Sequence, residues 1–326
     1  MTVRNFVLSL SRSPDNKVTE FFAVGKEKKG PFSSAFFLSG RTKFSKMGRR
    51  RKQNVRIKIE GVLMATKITV STLKGGDGKT TLTILMGNNL AARGCKVLVV
   101  DLDPNNSTSM YYSSGIENIE NICIEKNIFL ALTRKDAKSN IIATRKENVD
   151  LIPSSLDLSS IRTIDTKTLS KVISQVDGEY DYVIIDTAPT YDNHTISALY
   201  TADLIFTPVA PIKFTLSTTA YLRTKLYDEL EEKVPNWYLI YNKWEYAHEN
   251  FPTARQSQLA PVFESNFDNF LPVKIPRTPT MDAYTISDDP LSINSRAIGN
   301  KRLAKVINEL VDMIDTEHKT QSVEKF

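Results

Sequence analysis

The sequence predicts an α/β protein built on a doubly wound, mainly parallel sheet with helices on both faces. Strand-like and helix-like segments alternate from residue 64 to about residue 315, which is the order expected when crossover helices join parallel strands. Residues 96–100 are continuously apolar after their lysine, which is typical of a parallel strand buried on both faces. A glycine-rich segment separates the first strand from the first helix. We expect one domain over residues 64–315 and a polar tail over residues 316–326.

Local patterns define the elements of this domain in order. Residues 67–72 alternate and are rich in Ile, Val and Thr, which favours a strand. The next segment has apolar residues at helical spacing and ends at Gly94, a residue type that commonly terminates helices. Residues 105–150 are largely polar and irregular. Further strands are predicted at residues 96–100, 149–152, 181–186, 203–208, 238–242 and 273–276, and helices at residues 79–93, 127–132, 166–176, 216–230, 254–267 and 296–314.

The composition excludes several classes of protein and of site. With 326 residues, 41% of them hydrophobic and 25% charged, the chain is globular and long enough to bury a full core. It contains no run of about 18 apolar residues, so no membrane span is predicted. Cys95 and Cys123 are too few for a disulfide framework or a four-cysteine metal site, which favours a reducing, intracellular setting. Three scattered histidines and no Gly-x-Ser-x-Gly motif give no support to a zinc site or a serine hydrolase.

The positive charge of the chain is concentrated at its beginning. Residues 1–63 contain 15 of the 43 Lys and Arg but 4 of the 37 Asp and Glu, which leaves 28 basic and 33 acidic residues for the rest. The extension therefore has a balance of +11 and the remainder a balance of −5. Residues 1–63 also lack a sustained helical or strand period, which is typical of a disordered basic arm.

Two interpretations of residues 1–63 stay open. A basic arm could bind nucleic acid through its charge. Alternatively, translation starts at Met64, because MATKITVS leads directly into the glycine-rich segment and the composition changes at this point. We expect the second, in which the extension is not part of the native protein. A secretory signal is not predicted, because no apolar segment follows the first charges.

The glycine-rich segment has the order of a phosphate-binding loop. Its glycines let backbone N–H groups approach a triphosphate, and the helix N-terminus adds its positive dipole end. Lys79 can reach the β- and γ-phosphate oxygens, and the Thr80 hydroxyl can ligate Mg²⁺. These features predict a nucleotide-triphosphate site with Mg²⁺. The residues assigned to nucleotide binding here are Gly75, Gly76, Asp77, Gly78, Lys79, Thr80 and Thr81.

A lysine ahead of the glycines identifies the subtype of this loop. General P-loops have Gly at the position of Leu73, whereas residues 74–81 resemble the KGGxGK[ST] motif of the ParA/Soj/MinD family of deviant Walker A P-loop ATPases. The resemblance covers residues 64 to about 315 and implies the P-loop NTPase fold, ATP and Mg²⁺ as cofactors, and a homodimer with ATP. It assigns Lys74 and Lys79 to catalysis, with Lys74 reaching the triphosphate of the partner. Asp77 departs from the family, and its carboxylate would oppose phosphate binding unless it pointed to solvent.

Two carboxylates stand at the end of the second strand of the domain. Asp101 and Asp103 lie where doubly wound sheets bind their ligands, at the carboxyl end of a strand. VLVVDLDPNNS resembles the second conserved stretch of ParA-type ATPases, with Asn105 where Gln is more usual. The resemblance implies that Asp103 orients or activates the attacking water. Asp101 is assigned to the metal site.

A later apolar strand, DYVIID, closes with Asp186. This is the Walker B arrangement, in which the carboxylate holds Mg²⁺ through its water shell, and an Asp that only caps the following helix is the alternative. The predicted metal site therefore consists of Thr80, Asp101 and Asp186. Asn242 ends a strand where relatives place an adenine-contacting Asn, and Pro276 lies in the proline turn of the family's late strand. The resemblance implies that both lie near the base.

The resemblance also implies a function, that of a partition ATPase for plasmid or chromosome segregation. In the ParA type, ATP binding forms a sandwich dimer that coats duplex DNA non-specifically. A ParB-like adaptor bound to DNA then triggers a hydrolysis that is otherwise slow. A cytoplasmic, nucleoid-associated location follows from this function. Candidate DNA contacts are Arg255, Arg277, Arg296, Lys301 and Arg302.

Two other functions stay open. A MinD-like ATPase that positions the division site or cell pole would bind membranes through a helix with a basic polar face and aromatic residues opposite. The polar face of the C-terminal helix mixes acidic with basic residues, and its apolar stripe is more typical of a core helix, so membrane binding is not expected. An ATP-dependent ligase with the same P-loop is the third alternative, because its substrate pocket would have no sequence signature.

Overall fold

We describe the protein from a computed structural model. The chain folds into two compact units, Met1–Val62 and Leu63–Phe326. The structure describes three strands of the first unit, and then residues 64–161, 163–248, 251–277 and 301–324, with side chains up to residue 315. In the first unit, β1 (Phe6–Arg12), β2 (Val18–Gly25) and β3 (Phe37–Lys43) form an antiparallel sheet in the order β1-β2-β3. β2 is locally rich in the β-branched and aromatic residues that favour strands. The interpretation of residues 1–63 as a disordered or non-native extension stays a prediction.

The second unit contains the predicted alternation of strands and helices. Its described strands are β4 (Thr66–Val70), β5 (Val97–Leu102), β6 (Ile142–Ala143), β7 (Val149–Ile152), β8 (Tyr182–Thr187), β9 (Leu204–Val209), β10 (Trp237–Trp244), β11 (Tyr246–His248), β12 (Phe251–Pro252) and β13 (Phe270–Pro276). Its described helices are α1 (Lys79–Ala92), α2 (Ser107–Ser113), α3 (Ile119–Glu125), α4 (Ile128–Arg134), α5 (Thr168–Ile173), α6 (Asn193–Thr201), α7 (Lys213–Glu229), α8 (Ala254–Asn266) and α9 (Lys301–Glu324).

Eight of these strands form one sheet in the order β13-β10-β9-β4-β8-β5-β7-β6. Every pairing in it is parallel except that of β6 with β7, which is antiparallel. The predicted doubly wound, mainly parallel sheet is therefore confirmed. On one side of β4 the order rises outward through β9, β10 and β13, whereas on the other side β8 lies between β4 and β5. Ligands bind such sheets in the crevice at the carboxyl ends of the strands where the order reverses.

Helices cover both faces of this sheet. Val97 and Val99 of β5 pack in the cluster that contains α1 and α9, whereas Leu98 and Val100 pack in the cluster that contains α4 and α5. Successive side chains of a strand point to opposite faces, so the apolar run is buried on both sides as expected. A third cluster packs α7 and α8 against β9 and β10.

The first and last helices bury the stripes predicted for them. In α1 the apolar stripe is buried, and Gly94 follows the helix with a φ of +82°. In α9 the stripe lies in the core cluster that also contains the buried residues of α1. At the surface, Arg93 forms an ion pair of 2.6 Å with Asp312 of α9. Among the described helices, none combines the length and the apolar character that crossing a membrane requires. The buried stripe residues of α9 are Leu303, Val306, Ile307, Leu310 and Ile314.

Residues 105–150 contain more regular structure than expected. The helices α2 and α3 have seven residues each, too few to show a clear apolar period, and each follows an Asn with positive φ. Asn106 and Asn118 take this conformation at φ values of 66° and 56°, which Asn tolerates better than most residues. The helix predicted at residues 296–314 begins at Lys301 in the described part of the chain, and residues 296–300 lie outside it.

Candidate nucleotide-binding site

The three predicted motifs meet at one edge of the sheet. β8 lies between β4 and β5 and is parallel to both. Its register places Asp186 opposite both Val70 and Asp101. Because parallel strands end at the same edge, the loop after β4 lies beside the carboxylates of β5 and β8.

The glycine-rich loop between β4 and α1 requires glycine at two positions. Gly76 and Gly78 have φ values of +83° and +98°. A Cβ at Gly78 would lie 2.0 Å from the Nδ2 atom of Asn242. Gly75 and Gly76 are exposed, and a Cβ at either position would have no atom within 4 Å beyond its chain neighbours. An exposed glycine backbone at a helix N-terminus fits a triphosphate, since its N–H groups are open to phosphate oxygens.

Lys79 opens α1 with its side chain largely buried. Only 7% of its surface is exposed. Burial lowers the pKa of Lys79, while the negative charges of Asp186, Asp103 and Asp77 act in the opposite direction. An ammonium in such a weakly solvated position attracts a phosphate more strongly than an exposed one would.

Asp186 and Thr80 provide the oxygens expected of a magnesium site. The Thr80 hydroxyl donates a hydrogen bond of 2.8 Å to Oδ2 of Asp186, and Thr108 donates a second to the same oxygen. The other oxygen, Oδ1, is buried and has no hydrogen-bond partner in the described part of the chain. Burial raises the pKa of Asp186 to about 6, against the effect of these hydrogen bonds. An unpaired carboxylate oxygen beside a hydroxyl fits Mg²⁺, which prefers hard oxygen ligands.

A metal ion at Asp186 would need further ligands from elsewhere. Among residues 64–315 as far as they are described, no three or more His, Cys, Asp and Glu side chains are grouped so that they could hold a metal ion. Magnesium sites in nucleotide-binding proteins commonly complete their shell with phosphate oxygens and water. The described residues are consistent with a site of that kind.

Asp101 is fully buried, and both of its oxygens are engaged by the protein. Oδ1 accepts a hydrogen bond of 3.0 Å from the backbone N–H of Asp103. Oδ2 accepts bonds of 2.8 Å and 2.7 Å from the backbone N–H and the hydroxyl of Ser109. Burial and the nearby charge of Asp186 raise the pKa of Asp101 to about 7. These contacts fix the loop after β5, and a place for Asp101 among the metal ligands stays a prediction.

Asp103 follows β5 and lies beside the phosphate loop. Its side chain is 9% exposed and accepts a hydrogen bond of 3.0 Å from the backbone N–H of Asn105. Its carbonyl oxygen accepts a bond of 2.8 Å from the Ser154 hydroxyl. The Asp103 charge acts on both Lys79 and Asp186, so the carboxylate stands within electrostatic reach of the proposed phosphate site.

Asp77 and Lys74 are paired inside the loop. The Asp77 side chain is fully buried, and its Oδ1 forms an ion pair of 2.8 Å with Nζ of Lys74. Its Oδ2 accepts a hydrogen bond of 3.0 Å from the hydroxyl of Thr215 in α7. Asp77 therefore does not point to solvent, and its charge is paired with Lys74 within the protein. Its effect on phosphate binding stays a prediction.

The predicted adenine contacts lie on neighbouring strands. Asn242 in β10 is buried, and its Nδ2 donates a hydrogen bond of 2.8 Å to the carbonyl oxygen of Asp77. Pro276 ends β13 and is paired with Trp244 of β10. Thr81 is half-buried in the first turn of α1. The contacts of all three with a nucleotide stay predictions, and the structure adds a link from Asn242 to the phosphate loop.

Sequence reasoning missed four polar residues of this site. Thr108 and Ser109 bind the two carboxylates from α2, and the polar stretch NNSTS after the strand was their only signal. Thr215 and Ser154 have no signal of this kind, because each lies far along the chain from the residue that it contacts.

Some of the basic residues considered for DNA binding are exposed at the surface, and others are engaged by neighbouring side chains. Arg255 and Lys301 are exposed. Arg277 is exposed but forms an ion pair at the surface, and Arg302 stacks over an aromatic ring. Arg296 lies outside the described residues.

Comparison with known proteins finds relatives over most of the second unit. A protein-family profile described as an AAA domain matches residues 65–234. An uncharacterised protein of Methanocaldococcus jannaschii is 30% identical over 232 residues, which are 66% of this chain and 86% of the relative. The sporulation initiation inhibitor protein Soj of Bacillus subtilis is 34% identical over 153 residues, which are 45% of this chain and 58% of Soj.

A solved structure shares the fold. It is described as a plasmid partition protein from Borrelia burgdorferi bound to AMPPNP, and it is 24% identical with a TM-score of 0.61. The match covers 78% of this chain and 99% of that chain. It therefore extends over nearly the whole of the solved protein.

Proposed function

This chain belongs to the ParA/Soj/MinD family of P-loop ATPases, and from that premise we propose that it is a partition ATPase for plasmid or chromosome segregation. The observation that carries the proposal is Lys74, which pairs with Asp77 in the same loop that leads to Lys79 and Thr80. Thr80 in turn donates a hydrogen bond to Asp186. In this proposal ATP joins two copies of the chain, the dimer binds duplex DNA, and hydrolysis releases it.

The loop residues have distinct roles in ATP binding. The backbone N–H groups of Gly75 and Gly76, with the N-terminus of α1, would bind the triphosphate. Lys79 would add a charge at the β- and γ-phosphates. Thr80 and Asp186 would hold Mg²⁺, which neutralises charge on the transferred phosphoryl group. The unpaired Oδ1 of Asp186 supports this assignment.

Hydrolysis would depend on Asp103. Its carboxylate lies near both Lys79 and Asp186, so a water held by Asp103 would face the terminal phosphate. Besides its predicted place at the metal site, Asp101 would fix the position of Asp103 by accepting a hydrogen bond from its backbone N–H. A slow basal rate suits a switch whose ATP-bound form is the signal.

The proposed partners are a second copy of the chain, duplex DNA and an adaptor bound to DNA. Lys74 would reach across the two-fold axis to the triphosphate of the second copy, which makes ATP part of the interface. Residues 64–326 have a charge balance of −5, so binding of DNA would need their Lys and Arg concentrated on one face, and a dimer doubles that face. A ParB-like adaptor on DNA would stimulate hydrolysis, and the protein would act in the cytoplasm on the nucleoid.

A MinD-like ATPase that positions a division site or cell pole on the membrane is the second candidate. Membrane binding of that type uses the apolar face of an amphipathic helix. In α9, Leu303, Ile307 and Leu310 are buried against the sheet instead. The helix therefore favours the partition ATPase.

Sedimentation velocity and DNA binding with Mg–ATP, with Mg–ADP and without nucleotide test the proposal. Both the full chain and a chain that starts at Met64 are used, because the basic extension could bind DNA by itself. We expect dimers and non-specific DNA binding by the shorter chain only with ATP, with an affinity that falls steeply with salt. Lys79→Ala is the control and should stay monomeric. Tight binding of DNA without nucleotide would contradict the proposal. So would a protein that co-sediments with anionic liposomes and does not bind DNA.

A further inference from the structure

Asp77 connects three elements of the candidate site through one buried carboxylate. One oxygen pairs with Lys74 at 2.8 Å, and the other accepts a hydrogen bond of 3.0 Å from Thr215 in the first turn of α7. The backbone carbonyl of the same residue accepts the bond from Asn242 in β10. Loop, helix and strand therefore hold this carboxylate in place, so that it cannot follow Lys74 if the lysine moves.

The contact confines the lysine to its own subunit. The Lys74 side chain is 26% exposed while that of Asp77 is fully buried, so the lysine is the partner that keeps contact with solvent. To reach a triphosphate in a second copy, Lys74 must leave this ion pair. Removing one partner of a buried pair is costly, because the remaining charge keeps little solvation.

We propose that Asp77 is a positioning residue that holds Lys74 within its own subunit and thereby sets how tightly two ATP-bound copies associate. The inference rests on the proposed function, in which Lys74 acts across the dimer. Thr215 shares the carboxylate with Lys74 and stabilises it when the lysine leaves. Asp77 thus weakens the dimer, and Thr215 limits that weakening.

The test measures the dissociation constant of the dimer by sedimentation at ATP concentrations that saturate each variant of the full chain. Asp77→Asn keeps the size of the side chain and removes its charge, so the dissociation constant should fall roughly tenfold or more. Thr215→Val should raise it, because the abandoned carboxylate then has no hydrogen-bond donor in α7. Asp268→Asn is the charge-matched control, since Asp268 is exposed in the loop between α8 and β13, and it should not change the constant.

Two further variants show whether the effect acts through the lysine. The double variant Asp77→Asn with Lys74→Ala should be as monomeric as Lys74→Ala alone. Asp77→Ser is measured beside Asp77→Asn, and thermal unfolding of each variant shows whether it is folded.

The outcomes separate the inference from the proposed function. An unchanged or higher dissociation constant for folded Asp77→Asn and Asp77→Ser overturns the inference, and so does a double variant that dimerises where Lys74→Ala does not. If Lys74→Ala itself dimerises like the wild type, the lysine does not act across the interface, and the proposed mechanism fails irrespective of Asp77.

Discussion

The side-chain amide of Asn242 donates a hydrogen bond of 2.8 Å to the carbonyl oxygen of Asp77. This contact fastens the phosphate loop to β10 and fills the space beside Gly78, whose φ is +98°. We expect Gly78→Ala to lose ATP binding, because its φ is strained for alanine and the Asn242 side chain must give up its bond to the loop to admit a Cβ. The free energy of unfolding, measured with urea, should fall by about 1–3 kcal/mol, from the strained φ and the displaced amide.

Gly75→Ala is the matched control for that loss of stability. Gly75 is not among the residues with positive φ, and its Cβ would enter open space. Its free energy of unfolding should stay near that of the wild type, while calorimetry should show weaker ATP binding because the methyl group enters the phosphate cradle. Equal destabilisation by the two substitutions would contradict the roles given to the positive φ of Gly78 and to its contact with Asn242.

The two lysines of the loop should separate in function. Lys74→Ala should keep ATP binding by the monomer within a few-fold but lose ATP-dependent dimerisation, DNA binding and turnover, because Lys74 serves the second copy. Lys79→Ala should lose ATP binding itself, because its buried ammonium is assigned to the phosphates of its own site. Calorimetry and sedimentation velocity on both variants measure the difference. Normal dimerisation and hydrolysis by Lys74→Ala would remove the main support for the switch mechanism.

The fold and the position of the three motifs at one edge of the sheet could be predicted because their signals are local in the sequence. The apolar runs of β5 and β8 end in the carboxylates Asp101 and Asp186, and the glycines follow β4 directly. Parallel pairing then brings these strand ends to one edge of the sheet.

The environment of Asp77 could not be predicted in the same way. Its partners Thr215 and Asn242 lie 138 and 165 residues away along the chain, and neither contact produces a period or a motif. A carboxylate beside glycines indicates a solvent-exposed turn when only its neighbours in the sequence are known. Tertiary packing decided its burial, as it did for the short helices α2 and α3.

Asp103→Ala should keep ATP binding and dimerisation and lose hydrolysis. Asp103 is assigned to the attacking water, and removing such a group typically costs about 10²–10⁴-fold in rate while it leaves the contacts with bound ATP in place. Phosphate release and sedimentation velocity in the same buffer measure the two properties. A variant that no longer bound Mg–ATP would require new roles for Asp101, Asp103 and Asp186.

Asp186→Asn should make the protein more stable at pH 8 while it weakens the binding of Mg–ATP. Burial raises the pKa of Asp186 from 3.8 to about 6, so the folded protein binds this proton more tightly than the unfolded chain does. The unfolding free energy of the wild type should therefore fall as the pH rises from 3.8 to about 6. Because the pKa of Asp101 is raised to about 7, the fall should continue to about pH 7.

The asparagine removes the buried charge but keeps an oxygen that can accept hydrogen bonds from the Thr80 and Thr108 hydroxyls. Urea unfolding without nucleotide from pH 5 to pH 8 should show a flatter profile, with a gain at pH 8 on the order of 1–3 kcal/mol. Asp268→Asn, on an exposed loop, should leave the profile unchanged. A less stable Asp186→Asn protein at pH 8 would mean that attraction to Lys79 outweighs desolvation of the carboxylate, and that its pKa is depressed rather than raised.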